Sequence, residues 1–151
     1  MKKIFSVVIC SLIVIVAGCH KQTEQEKVKQ VVLNLQKATE EKDVRKIVNT
    51  LSKNYRDPQG NSYNEIKGLI IGYFYYYPKI SMYIPNIDVS IEDGSAKAVF
   101  QALFAGRTNA SATTVLPESL GMYAFELVLQ KESGDWVVYS AKWERIADTL
   151  K

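Results

Sequence analysis

Histidine and cysteine are nearly missing from this chain of 151 residues, which has one histidine and two cysteines. All three, Cys10, Cys19 and His20, fall within the first twenty residues. The rest of the chain therefore has no disulfide, no thiolate metal site, no thiol nucleophile and no imidazole for proton transfer or metal ligation. No metal and no cofactor is expected. Repeats at solenoid periods and low-complexity segments are absent too. No basic cluster interleaved with aromatics occurs, which argues against nucleic acid as a partner. The charge-free apolar run near the start, residues 4–17, has 14 positions. That is short of the roughly 18 needed for a spanning helix.

What the run does have is the anatomy of an export signal. Met1-Lys2-Lys3 gives a positive start, the apolar stretch has h-region length, and the small residues Ala17 and Gly18 close it. The ending Val16-Ala17-Gly18-Cys19 resembles the lipobox of bacterial lipoproteins. The resemblance implies cleavage between Gly18 and Cys19. Cys19 would then be the first mature residue, carrying a diacylglycerol thioether and usually an N-acyl chain. One buried chain binds a membrane only marginally, at about 0.8 kcal/mol per methylene, whereas two or more anchor stably. The implied partner is thus a membrane, and the implied location the cell envelope. His20, standing where Asp tends to retain lipoproteins in the inner membrane, points to the periplasmic face of the outer membrane in a Gram-negative cell, and otherwise to the outer face of the plasma membrane. An uncleaved membrane helix and an ordinary signal peptide cut after Gly18 are the competing readings.

Processing would divide the chain into a signal (1–18), a lipidated start and short tether (19–23), one domain (24–147) and a tail (148–151). The 133 residues left after cleavage suffice for one domain with a real core. Lys2 and Lys3 leave with the signal, so 17 basic residues face 16 acidic ones, a formal charge of +1.

Along the domain, Thr23 and Glu26 have capping-box spacing, and Val28, Val31, Val32, Leu35 and Ala38 follow on one helical face. Asp43 can cap a second helix with Val44, Ile47, Val48 and Leu51 as its stripe. Turn formers fill residues 54–61, and Ser62 with Glu65 opens a third helix that Pro78 stops. On it Ile66, Leu69, Ile70, Tyr73, Phe74 and Tyr77 form one stripe, while Ile71, Tyr75 and Tyr76 lie off it. A helix apolar nearly all round is expected to be buried on more than one side, the alternatives for its aromatic run being the wall of a ligand pocket or a dimer contact.

From Ile80 the period changes to two. Ile80, Met82 and Ile84 alternate, Pro85 shifts the phase, and Ile87, Val89 and Ile91 continue. Glu92-Asp93-Gly94-Ser95 reads as a hairpin turn before a strand over residues 96–105. A long polar connection over 106–119 follows, then strands around Tyr123 to Leu129 and over 136–146, joined at Ser133-Gly134. In the last strand Val137, Tyr139, Ala141 and Trp143 are expected on the core face, leaving Trp136, Val138 and Ile146 outside.

Three helices followed by four antiparallel strands, with a short extra hairpin allowed at Pro85, is an α+β arrangement. The helices would pack in the concave face of a curved sheet with a cone-shaped interior. The chain resembles the nuclear transport factor 2-like (ketosteroid-isomerase-like, SnoaL-like, cystatin-like) superfamily over residues 24–146. The likeness rests on the element order, on Tyr55-Arg56-Asp57-Pro58-Gln59-Gly60, and on Tyr123-Ala-Phe-Glu-Leu-Val-Leu with Gly134-Asp-Trp-Val-Val and Ala141-Lys-Trp143.

The resemblance implies, for enzymes of the superfamily, an Asp or His acid–base group in the cone beside a Tyr or Asp. Asp88, Glu126 and Glu144 alternate out of phase with core residues, leaving Tyr55, Asp57 and Arg107 as weak polar candidates. The leading reading is a non-catalytic, membrane-anchored module. Its cone, lined by Tyr73, Tyr77, Tyr123, Phe125, Tyr139 and Trp143, would take a small apolar ligand, or its open sheet face an envelope protein. The alternatives are an isomerase- or dehydratase-type enzyme using a buried Asp or Tyr, and a homodimer through the sheet's outer face.

Overall fold

The computed structural model describes residues 22–107 and 118–146. The lipobox with Gly18 and Cys19, most of the polar connection, and the tail lie outside the described residues. Three helices, α1 (Glu24–Glu40), α2 (Val44–Asn49) and α3 (Tyr63–Tyr76), precede five strands. These are β1 (Lys79–Tyr83), β2 (Ile87–Glu92), β3 (Ser95–Arg107), β4 (Glu118–Glu132) and β5 (Asp135–Ile146). All pairings are antiparallel, in the order β1-β3-β4-β5, with β2 beside β1 on the same edge of β3. The fold is α+β, with the helices on the concave side of a curved sheet.

Local chemistry sets the boundaries. Capping boxes at Thr23/Glu26 and Ser62/Glu65 and the Asp43 side chain start the helices, satisfying backbone donors that have no intrahelical acceptor. Pro85 splits one edge into β1 and β2: Ile80 pairs with Gly106 and Ile87 with Phe100, so both pieces send their apolar side chains inward. The main core joins Val28 and Val32 of α1 to Ala98, Phe100 and Ala102 of β3, Leu127 and Leu129 of β4, and Trp136 and Val138 of β5.

Side-chain contacts at both ends hold α1 to the sheet. Gln36 Nε2 donates to the Met82 carbonyl at 2.7 Å, and Glu40 Oε1 accepts from the Met82 amide at 3.1 Å. At the other end, Glu24 accepts from Trp136 Nε1 at 2.8 Å. Glu24 also pairs with Lys131 at 2.7 Å and Lys27 at 2.8 Å; led by Lys131, these partners hold its carboxyl down to about 2.

Two expectations are corrected. The facing of β5 is reversed at its start: Trp136 and Val138 are buried in the core rather than outside. The register steps from Val128–Ser140 to Leu129–Val138, so Tyr139 is the extra residue of a bulge. Even-numbered residues point inward before it and odd-numbered ones, Ala141 and Trp143, after it. The sheet's outer face instead carries the part-exposed apolar residues Val99, Leu103 and Met122, beside a Lys97–Glu126 ion pair at 3.1 Å. The second correction concerns α3. Only Phe74 of that helix is buried; Leu69, Ile71, Tyr73, Tyr75 and Tyr76 are exposed. Its inner side meets Ala38, Ile47 and Ile80, and no other described element covers its outer side.

The β3 and β4 ends also run further than expected, with Gly106 paired to Glu118, so strand takes up both ends of the polar connection. The segment between α2 and α3 docks on β5. Ser52 N–H donates to the Val138 carbonyl at 2.9 Å, Val138 N–H to the Thr50 carbonyl at 2.8 Å, and Arg56 N–H to the Tyr139 carbonyl at 3.1 Å. An edge that would otherwise offer free ladder groups is thereby covered along this stretch.

Candidate functional site

The cone holds a half-open cavity of about 290 Å³. Val32, Leu35 and Thr39 of α1, Ile47 of α2 and Leu51 after it form one wall, and Ile66, Leu69, Ile70, Tyr73 and Phe74 of α3 a second. The sheet supplies Ile80, Met82, Phe100, Phe104, Tyr123, Phe125, Leu127, Val138, Ala141 and Trp143, and Tyr55 enters from the α2–α3 connection. Aromatic packing stiffens the sheet side. Phe100 stacks on Phe125 at 5.2 Å between centroids, and Phe104 meets Tyr123 edge-on at 5.8 Å.

Of the six aromatics expected to line the cone, Tyr73, Tyr123, Phe125 and Trp143 do so; Tyr77 and Tyr139 do not. Tyr77 packs on the cluster around Phe74 and Ile80, and Tyr139 is displaced by the bulge. The residues that sequence reasoning left out of the lining are mostly aliphatic, and Phe100 and Phe104 are the notable omissions. Their alternation within β3 was the available signal, obscured by Val99 and Leu103 on the opposite face.

Of the polar candidates only Tyr55 reaches the cavity. It is 2 % exposed, and burial, followed by the charge of and hydrogen bond to Asp57, pushes its phenol above the usual value. Its hydroxyl donates to Asp57 Oδ2 at 3.3 Å. Asp57 is itself 7 % exposed, but Oδ1 accepts from the Asn61 amide N–H at 2.8 Å and Oδ2 from Asn61 Nδ2 at 2.9 Å. That is a carboxylate closing a turn, the local bonding that makes Asp common there. Arg107 ends β3 opposite Lys79 and is not among the lining residues. Asp88, Glu126 and Glu144 lie outside the cavity: Asp88 accepts from Asn86 Nδ2 at 3.0 Å, Glu126 pairs with Lys97, and Glu144 is exposed. No carboxylate, ammonium or guanidinium is among the described lining residues.

No protein-family model matches this chain, and no curated protein matches it by sequence. Its likeness to solved structures is one of shape. A putative dehydratase of the NTF2-like family from Streptomyces avermitilis superposes with a TM-score of 0.68 at 10% identity, over 81% of this chain and 95% of that one. A cystatin-like protein of unknown function from Nostoc punctiforme gives 0.67 at 11% identity, over 85% and 96%. The fold is nuclear transport factor 2-like. Bd1075 of Bdellovibrio bacteriovorus gives 0.65 at 9% identity over 79% of this chain, which spans 40% of that longer protein. At such identities only the fold carries over.

Proposed function

We propose that this protein is a lipid-anchored envelope protein whose domain holds a small apolar molecule without transforming it. The observation that carries the reading is the cavity. Its 290 Å³ are at the small end of the roughly 300–1,000 Å³ typical of ligand pockets, and its described lining is, Thr39 apart, aliphatic and aromatic without one formally charged side chain. Dehydratase chemistry, suggested by the name of the Streptomyces protein, needs a proton donor and acceptor at the reacting atoms, as isomerase chemistry does. Among the described residues, the ionisable groups lining this cavity are the phenols of Tyr55, Tyr73 and Tyr123, and burial makes Tyr55 a poorer acid still.

Titration with the apolar fluorophore N-phenyl-1-naphthylamine tests the ligand reading. Saturable one-to-one binding is expected, weakened at least tenfold by Ala141→Leu, which fills the cavity. Absence of saturation, or indifference to that substitution, refutes it. The anchor rests on Val16-Ala17-Gly18-Cys19. Cells fed an alkynyl fatty acid should label the protein, and Cys19→Ser should abolish the label and leave the chain 18 residues longer. Full labelling of Cys19→Ser sinks this part alone.

A further inference from the structure

The side of α3 turned away from the cavity is an unusual surface. Leu69, Ile71, Tyr73, Tyr75 and Tyr76 are 43, 48, 59, 86 and 60 % exposed. Together they leave on the order of 600 Å² of largely apolar surface in water, from one helix. A monomer rarely exposes so large a contiguous patch, and a standard interface buries about 800 Å² per partner. The helix therefore supplies most of one dimer face.

We propose that α3 is the contact between two copies of this chain, packed antiparallel about a twofold axis near Gly72. At 100° per residue, Gly68 and Gly72 fall at the middle of the outward face, with Ile71 and Tyr75 on one flank and Leu69 and Tyr76 on the other. A Cβ built on either glycine meets nothing within 4 Å, so the helix's own fold does not require them. Asn61, Glu65, Gly68, Leu69, Gly72 and Tyr73 line a shallow groove along this face, with Glu65 its only formally charged member. The surface is thus self-complementary, a groove beside protruding rings. The twofold sets Gly68 of one copy opposite Tyr76 of the other, and antiparallel packing opposes the two helix dipoles favourably. Leu69 and Tyr73 belong both to the groove and to the cavity wall, so the second copy would back part of the binding-site wall.

A second copy, rather than the lipid surface, is the occupant we take, a step that rests on the anchor proposed above. The start of α1 is tied to Trp136 and Lys131, while Lys42, just past its end, donates to the Pro78 carbonyl beside the end of α3. The 17 residues of α1 separate these points by about 25 Å, whereas the stretch from Cys19 to Thr23 reaches at most about 14 Å. The aromatic end of α3 therefore lies well away from the attachment point, and its contact with the bilayer is the competing outcome that the vesicle measurement decides.

The test is disulfide trapping of the full chain in membranes. Gly72→Cys, at the axis, should convert most of the protein to a reducible dimer under mild oxidation. The parent chain, oxidised alongside, reports any disulfide through Cys10 or Cys19. Gln101→Cys, exposed on the sheet's outer face, should stay monomeric. Adding Tyr76→Asp to Gly72→Cys should lower the dimer yield at least tenfold, with an unchanged circular dichroism spectrum. A monomeric Gly72→Cys protein, equal trapping at Gln101→Cys, or indifference to Tyr76→Asp overturns the proposal. Binding of the monomer to phospholipid vesicles that depends on Tyr76 overturns it as well.

Discussion

Asp57→Ala separates a bracing carboxylate from a reactive one. The side chain is almost fully buried and accepts hydrogen bonds from the Asn61 amide, Asn61 Nδ2 and the Tyr55 hydroxyl. Bonds to a charged acceptor contribute about 1.5–3 kcal/mol each, the 3.3 Å bond from Tyr55 the least, and truncation also strands a buried phenol hydroxyl. Non-additivity within so small a network keeps the sum near 3–5 kcal/mol. Urea unfolding followed by circular dichroism should show the loss as a lower midpoint with an unchanged slope. Tyr55→Phe alone should cost about 1 kcal/mol, because Asn61 still satisfies Asp57. The double variant should recover about 0.5–1.5 kcal/mol relative to the summed singles, as expected for direct partners. A cost below about 1 kcal/mol for Asp57→Ala would refute the brace and return Asp57 to the list of reactive groups.

Four further outcomes follow from the same structure. Glu24 titrates near 4.5 when unfolded and about 2 when folded, so its contribution is complete above 4.5 and fades as pH falls toward 2; Glu24→Gln should flatten that part of an acid-unfolding curve followed by circular dichroism. The phenol of Tyr55 is raised by folding, so stability should fall as pH rises above about 10, where the unfolded chain ionises first, and Tyr55→Phe should remove that fraction of the alkaline loss. Gly121 has φ +113 at the β4 irregularity, so Gly121→Ala should lower stability by about 1–3 kcal/mol in thermal unfolding. By contrast Gly68→Ala, in open helix, should stabilise the isolated fold by about 0.5–1 kcal/mol while weakening the dimer.

Local signals in the sequence determined where the elements begin. Thr23 and Asp43 start helices because their side chains accept from orphan backbone N–H groups, Ser62 starts one with Glu65 accepting from its amide, and Pro85 divides an edge strand because it has no N–H for the ladder. The near absence of histidine and cysteine, and the outward phase of Asp88, Glu126 and Glu144, were equally legible, since they depend on composition and a period of two. Tertiary structure alone decided the rest. A single extra residue at Tyr139 inverts the facing of the start of β5, and nothing in Trp136-Val-Val-Tyr-Ser marks which residue will bulge. Asp57 looked like a candidate until Asn61 and Tyr55 were seen to surround it. The all-round apolar pattern of α3 says that each side would gain from leaving water, but burial also needs a neighbour. Only the folded arrangement reveals that the outer side of α3 has none among the described residues.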